Sequence, residues 1–156
     1  MEKIRVAGYV KLAKLWEKSR DKITAYHKKY YEDKYGELDD VELVDVYIDI
    51  TGQKSIRKRP EMIRLIADCK AGKIDVISTQ TRAYLAANSG EFCYLIYYLF
   101  NLSSTVHIVS EDDNYRIDTI ANYDHQREAL LKMAEDYIKL DPVDYEDWKR
   151  DIEREF

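Results

Sequence analysis

Apolar residues recur along the chain in two periods, two and roughly three and a half, and the switches between them mark the elements. Val44, Val46, Ile48 and Ile50 alternate with Asp45, Tyr47 and Asp49, which predicts a strand with one apolar and one polar face. Asp49 then falls on the polar side near the strand's end. Thr51-Gly52 breaks the strand. Arg59-Pro60 opens a helix, because proline at the first helical position brings the required φ and its missing N–H had no intrahelical acceptor to lose. Met62, Leu65, Ile66 and Cys69 supply the apolar stripe, and Gly72 closes the helix in a left-handed cap. Lys70 and Lys73 favour its negative end, and residues 74–78 start a buried strand. Such a β-α-β block belongs in a parallel sheet with a right-handed crossover.

The same reading extends to both ends of the chain. Residues 4–10 form a short strand that is apolar on both faces, as the centre of a parallel sheet requires. Residues 15–35 form a long, heavily charged helix with a thin stripe of Leu15, Ile23, Tyr26 and Tyr30, ending at Gly36. Its tyrosines, Tyr31 and Tyr35 included, pack against the sheet, or alternatively cover a groove or a partner. Asn88 caps a further helix with Glu91 as reciprocal partner, over a stripe of Phe92, Leu95, Ile96, Leu99 and Phe100. Residues 104–110 form a strand, a helix runs from about Ile117 to Leu140, and Asp141-Pro142 stops it before a short acidic helix at 143–155. The order β-α-β-α-β-α-β-α-α predicts an α/β fold: an open, mostly parallel sheet with helices on both faces. No repeat, low-complexity linker or hinge divides the chain, so residues 1–140 are expected as one body and 141–156 as an acidic C-terminal helix or tail.

Charge changes this picture in one respect. The net charge is −5, and residues 135–156 hold nine acids against four bases, so the acidity belongs to the C-terminal segment. A sequence pI near 5.3 is unlike the basic balance of a dedicated nucleic-acid module. A local cluster of Lys54, Arg57, Lys58, Arg59 and Arg64 remains, with Glu61 and Asp68 nearby, and it reads either as a solvated loop or as a phosphate-contacting patch. Cys69 and Cys93 lie on helix stripes with no further ligand at metal spacing, and are expected as reduced, buried thiols of a cytoplasmic protein. His27, His107 and His125 are scattered, so no metal and no cofactor is expected. No apolar run reaches membrane-spanning length, and the N-terminal residues lack a signal-peptide core.

In open α/β sheets ligands bind beyond the carboxyl ends of the strands. The loops at residues 11–14, 51–59 and 79–88 open there and carry Lys11, Asp49, Arg59 and Arg82. Guanidinium forks beside one carboxylate suit a phosphate or phosphodiester, whose nonbridging oxygens they hold and whose developing charge they stabilise. The runs GYVK, YIDITG, RPEMIRLIADCKAGKIDVI and TQTR resemble the N-terminal catalytic domain of serine recombinases, the resolvase and invertase family, particularly its large transposon-type members. The similarity spans roughly residues 4–130. It implies a resolvase-like fold and DNA cleavage by a serine hydroxyl, which forms a 5′-phosphoseryl link with the help of arginines and needs no metal or nucleotide.

Residue by residue, the resemblance is incomplete. The family's first strand ends in tyrosine, any residue, arginine, valine, serine, where this chain has Tyr9, Val10, Lys11, Leu12 and Ala13. Alanine thus stands at the nucleophile and lysine at the arginine. Asp49, Arg59 and Arg82 match family site residues, Leu85 replaces a second arginine, and Arg127 has no secure register. Ser19 is the nearest other hydroxyl, six residues on and differently directed. The resemblance therefore implies a catalytically inactive recombinase homologue with phosphate contacts at Lys11, Arg59 and Arg82. Its expected partners are DNA, an active recombinase or a second copy in a homo-oligomer, with no membrane. Two alternatives stand beside it: a working site-specific recombinase with a divergent site, and a non-catalytic protein-interaction module. The acidic end would repel a duplex; the chain either ends there or was cut at a boundary, and Met1 favours a natural start.

Overall fold

A computed structural model describes residues 2–112, 116–121 and 125–156. Five strands, β1 (Ile4–Leu12), β2 (Val41–Ile50), β3 (Val76–Thr79), β4 (His107–Ser110) and β5 (Ile117–Asp118), form one sheet in the order β2-β1-β3-β4-β5. The first four are parallel, and β5 runs antiparallel to β4. Helix α1 (Arg20–Tyr35) covers one face; α2 (Pro60–Lys70), α3 (Ser89–Phe100), α4 (Gln126–Leu140) and α5 (Pro142–Arg154) build the opposite side. This is the expected α/β architecture with an open, mostly parallel sheet. Among the described residues no helix is long and apolar enough to cross a membrane.

The strands fall where the sequence pattern puts them but with shifted ends: β1 and β2 run longer than expected, and β3 and β4 start later. β1 is central, paired with β2 on one edge and β3 on the other, and is buried on both faces from Val6 to Val10 because helices cover the sheet from both sides. β2 is buried on both faces as well over Val46–Ile50, which corrects the expected polar face. Tyr47 packs beneath α2, its hydroxyl donating to Asp68 at 2.5 Å, and the Arg64 guanidinium lies 4.0 Å from its ring centre. A register shift opposite Val6 and Ala7 leaves Val44 as an extra residue in β2, which bends the sheet's outer edge.

Helix α1 departs further from expectation. Residues Lys14–Ser19 form a 3₁₀ turn, so the α-helix starts only at Arg20 and its inward face is His27 and Tyr31. Leu15 and Tyr26, two of the expected stripe residues, are exposed. Gly8 determines this phase: a Cβ there would stand 2.9 Å from the Tyr31 ring, so the missing side chain makes the notch in which that ring sits. Tyr35 bonds Ser78 at 2.7 Å and Tyr30 bonds Glu111 at 2.6 Å, so the tyrosines of α1 mostly face the sheet.

The other helices follow their caps. Gly72 has φ +77, and Lys73 N–H returns to Asp68 O, the Schellman closure of α2. Asn88 Oδ1 accepts the Glu91 N–H at 2.8 Å to start α3, and Asp141 Oδ1 accepts the Asp144 N–H at 3.1 Å to start α5. The helix expected from Ile117 begins instead at Gln126, and residues 122–124 of that expectation lie outside the described residues. Side-chain bonds hold the preceding segment as a strand. Thr119 Oγ1 accepts the Ile108 N–H at 2.9 Å, Ser110 Oγ accepts the Ile117 N–H at 3.2 Å, and Gln126 bonds the backbone of Arg116 and Asp118. Cys69 and Cys93 are free and buried, as expected.

Helix α5 is packed rather than loose. Tyr145, Trp148 and Ile152 are buried in the main core against α3. Its acids meet bases and hydroxyls of the body: Asp151 pairs with Arg57 at 2.8 Å, Glu153 with Lys70 at 2.5 Å, and Tyr98 donates to Glu153 at 3.0 Å.

Candidate functional site

The carboxyl ends of β1, β2 and β3 and the loops after them carry Lys11, Asp49, Arg59 and Arg82. Asp49 ends β2 beneath α2 and is 4 % exposed. Its two oxygens accept the N–H groups of Glu61 at 3.0 Å and Met62 at 2.9 Å, and the Tyr9 hydroxyl at 2.9 Å. Helix α2 has no cap from its own N-cap residue, Arg59, so a carboxylate from the neighbouring strand serves in its place, favoured by the positive helix end. Burial, with the adjacent Asp49 charge, pushes the Tyr9 phenol well above its ordinary value, so Tyr9 stays a donor.

Arg59 is fully buried. Its guanidinium donates to Tyr84 O at 2.6 Å, to Leu85 O at 3.4 Å and to Lys54 O at 2.7 Å. The side chain thus staples the β2–α2 loop to the turn after β3. Leu85, standing where the family resemblance implies a second arginine, is buried apolar core at the same junction.

Lys11 pairs in register with Asp49 across β1 and β2 and donates to Thr51 O at 3.3 Å. Partial burial and the Arg59 and Lys54 charges lower its pKa against the pull of Asp49, so Lys11, Asp49, Arg59 and Lys54 share one electrostatic neighbourhood. Ala13 follows on an exposed, extended stretch and has only a methyl group to present. Ser19 closes the exposed 3₁₀ turn, and the Asp49 charge reaches its neighbour Arg20, whose pKa rises chiefly through the hydrogen bond to Glu17.

Arg82 stands one turn away rather than in that group. It opens the 3₁₀ turn Arg82–Tyr84, capped by Thr81, and its N–H donates to Asp112 Oδ2 at 2.9 Å. Partial burial pushes the Asp112 carboxyl up, but bonds from the Arg82 amide, Thr81 and Ser110, with the Arg82 charge, outweigh it and hold the group below the ordinary carboxylate value. A cleft of about 340 Å³ opens beside this turn, between Arg82, Asp112, Phe92 and Met133. Arg127 lies over the Phe100 ring at 5.2 Å. Among the described residues no His, Cys, Asp or Glu group is arranged to hold a metal.

Sequence reasoning missed two residues of this region. Tyr9 matches the tyrosine of the family's strand-end pattern but is given no role there, and its bond to Asp49 spans 40 positions. Glu91 was expected to return to the start of its own helix, but its carboxylate accepts the Ile56 N–H at 3.0 Å and the Trp148 Nε1–H at 3.0 Å instead.

A parallel sheet in the order 2-1-3-4 with an antiparallel fifth strand defines the chain as an open α/β domain, and its fold is that of serine recombinase catalytic domains. Two solved structures share that fold. A resolvase family site-specific recombinase from Streptococcus pneumoniae superposes with a TM-score of 0.58 at 18% identity, covering 97% of this chain and 98% of that one. The N-terminal catalytic domain of TP901-1 integrase does so with a TM-score of 0.56 at 16% identity, covering 88% of this chain and 96% of that one. No family model and no curated protein sequence matches the chain.

Proposed function

We propose that the chain is a recombination-related domain of serine recombinase descent that holds a DNA backbone without cutting it. The observation that carries this reading is Ala13, two residues after Lys11 on the exposed end of β1, where the family resemblance implies the attacking hydroxyl. Loss of a covalent nucleophile lowers the rate on the order of a million-fold in a well-studied hydrolase. Lys11 and Arg82 remain as phosphate contacts, with exposed Lys54 beside Lys11. Partners of matching chemistry are duplex DNA, an active recombinase and a second copy of the chain. Incubation with supercoiled plasmid should give neither nicked product nor a covalent protein–DNA adduct on a denaturing gel. Binding to the same DNA should weaken about tenfold or more in Lys11→Ala plus Arg82→Ala, two charge-assisted contacts being lost. A nick or an adduct overturns the non-cutting reading.

A second reading is cleavage by a divergent site through Ser19, which closes the exposed 3₁₀ turn after Ala13. Under it, any nicking disappears in Ser19→Ala.

A further inference from the structure

Glu91 and the helix that approaches it have no part in the chemistry above, yet they sit behind the loop that carries it. Glu91 is 8 % exposed and lies in the first turn of α3. Both its oxygens face the Ile56 N–H, at 3.1 and 3.0 Å, and Oε2 also accepts Ser55 Oγ at 3.4 Å and Trp148 Nε1 at 3.0 Å. Ile56 and Trp148 are themselves buried, so neither N–H has water as a substitute partner. One carboxylate thus joins three separate parts of the chain: α3, the β2–α2 loop and α5.

The loop side of that junction leads directly to the candidate site. Lys54 O accepts Arg59, and Arg59 reaches across to the carbonyls of Tyr84 and Leu85 beside Arg82. The α5 side is held by Ile152, which is fully buried, and by the Arg57–Asp151 pair at 2.8 Å, which ties the same loop to α5 a second time. A buried hydrogen-bonded carboxylate fixes geometry more strictly than apolar packing, because displacement of any donor leaves charge unpaired.

We propose that Glu91 is a positioning residue through which the docking of α5 sets the β2–α2 loop, and with it the placement of Lys54 and Arg82 for a phosphate-bearing ligand. The placement arm rests on the function proposed above; the coupling of α5 to the loop does not. Trp148→Phe keeps most of the ring packing and removes only the Nε1–H, and Ile152→Ala loosens α5 from its far end without touching Glu91.

Amide hydrogen exchange on the full chain separates positioning from general stability, with Ile77 in β3 as the reference for global opening. In both variants Ile56 should exchange about tenfold faster relative to Ile77 than in the parent protein. Equal acceleration at the two amides, or none at Ile56, overturns the coupling. Duplex affinity at low salt should fall about fivefold in Trp148→Phe, the order of one displaced charge-assisted contact. Affinity that stays at the parent value while Ile56 exchange rises overturns the placement arm. Failure of the parent chain to bind duplex refutes the proposed function and the placement arm together, and leaves the exchange ratio to decide the coupling.

Discussion

At the scale of single residues, Arg59 brings its guanidinium to a place without solvent contact and gives its hydrogen bonds to backbone carbonyls, with Asp49 in the same electrostatic neighbourhood. Arg59→Met keeps the aliphatic stem but leaves those carbonyls short of a donor, so stability should fall by about 3 kcal/mol in urea denaturation. Arg59→Lys should recover only part of that, since one ammonium cannot serve Lys54 and Tyr84 together with the fork geometry of a guanidinium. The position of Arg59 before Pro60 was legible in the sequence because a local rule places it there. The direction of its side chain was not, because two of its three acceptors lie 25 and 26 residues away. Asp49 follows the same division: its place at the strand end could be read from the alternation, while its service to α2 could not.

At the scale of elements, local signals succeeded where a helix carries its own cap and failed where a neighbour decides. Gly72 and Asn88 cap their helices as read, and Asp141 stops α4 as read while also capping α5, which was not. Helix α1 took its phase from the notch at Gly8, a contact no window along the helix contains. Residues 117–118 pair with β4 because Ser110, Thr119 and Gln126 supply side-chain bonds that periodicity ignores. The junction of β1 with the start of β3 offers a test of element pairing by pH. Asp75 accepts the Arg5 N–H at 2.9 Å and its guanidinium at 3.0 and 3.1 Å, and these bonds, led by the side-chain one, hold its carboxyl below the ordinary 3.8. A folded value below the unfolded one stabilises above the unfolded pKa and is lost as pH falls through the folded one. Asp75→Asn should therefore unfold at lower urea than the parent at neutral pH, and the two midpoints should draw together as pH falls below 3.8.

At the scale of the whole molecule, the net charge of −5 misdescribes the edge that would meet a ligand. Asp151 and Glu153 of α5 are turned onto Arg57 and Lys70, so the acidic segment packs on the body and does not hang beside the sheet edge as a repelling tail. Lys11, Lys54 and Arg82 stay at that edge, too few for a broad electrostatic footprint. Duplex affinity should accordingly fall with salt on a log–log slope of roughly −2 to −3, measured by fluorescence anisotropy, where each neutralised phosphate contributes about −0.9. The cap that Asp49 gives to α2 bears on descent as well. A lineage that abandoned strand cleavage would still be held to this aspartate, because replacing it removes α2's cap and Tyr9's acceptor and so impairs folding before any reaction is at stake. On the proposed function, Asp49 is expected to persist with the fold in cutters and non-cutters alike, and the residue at position 13 to divide the two.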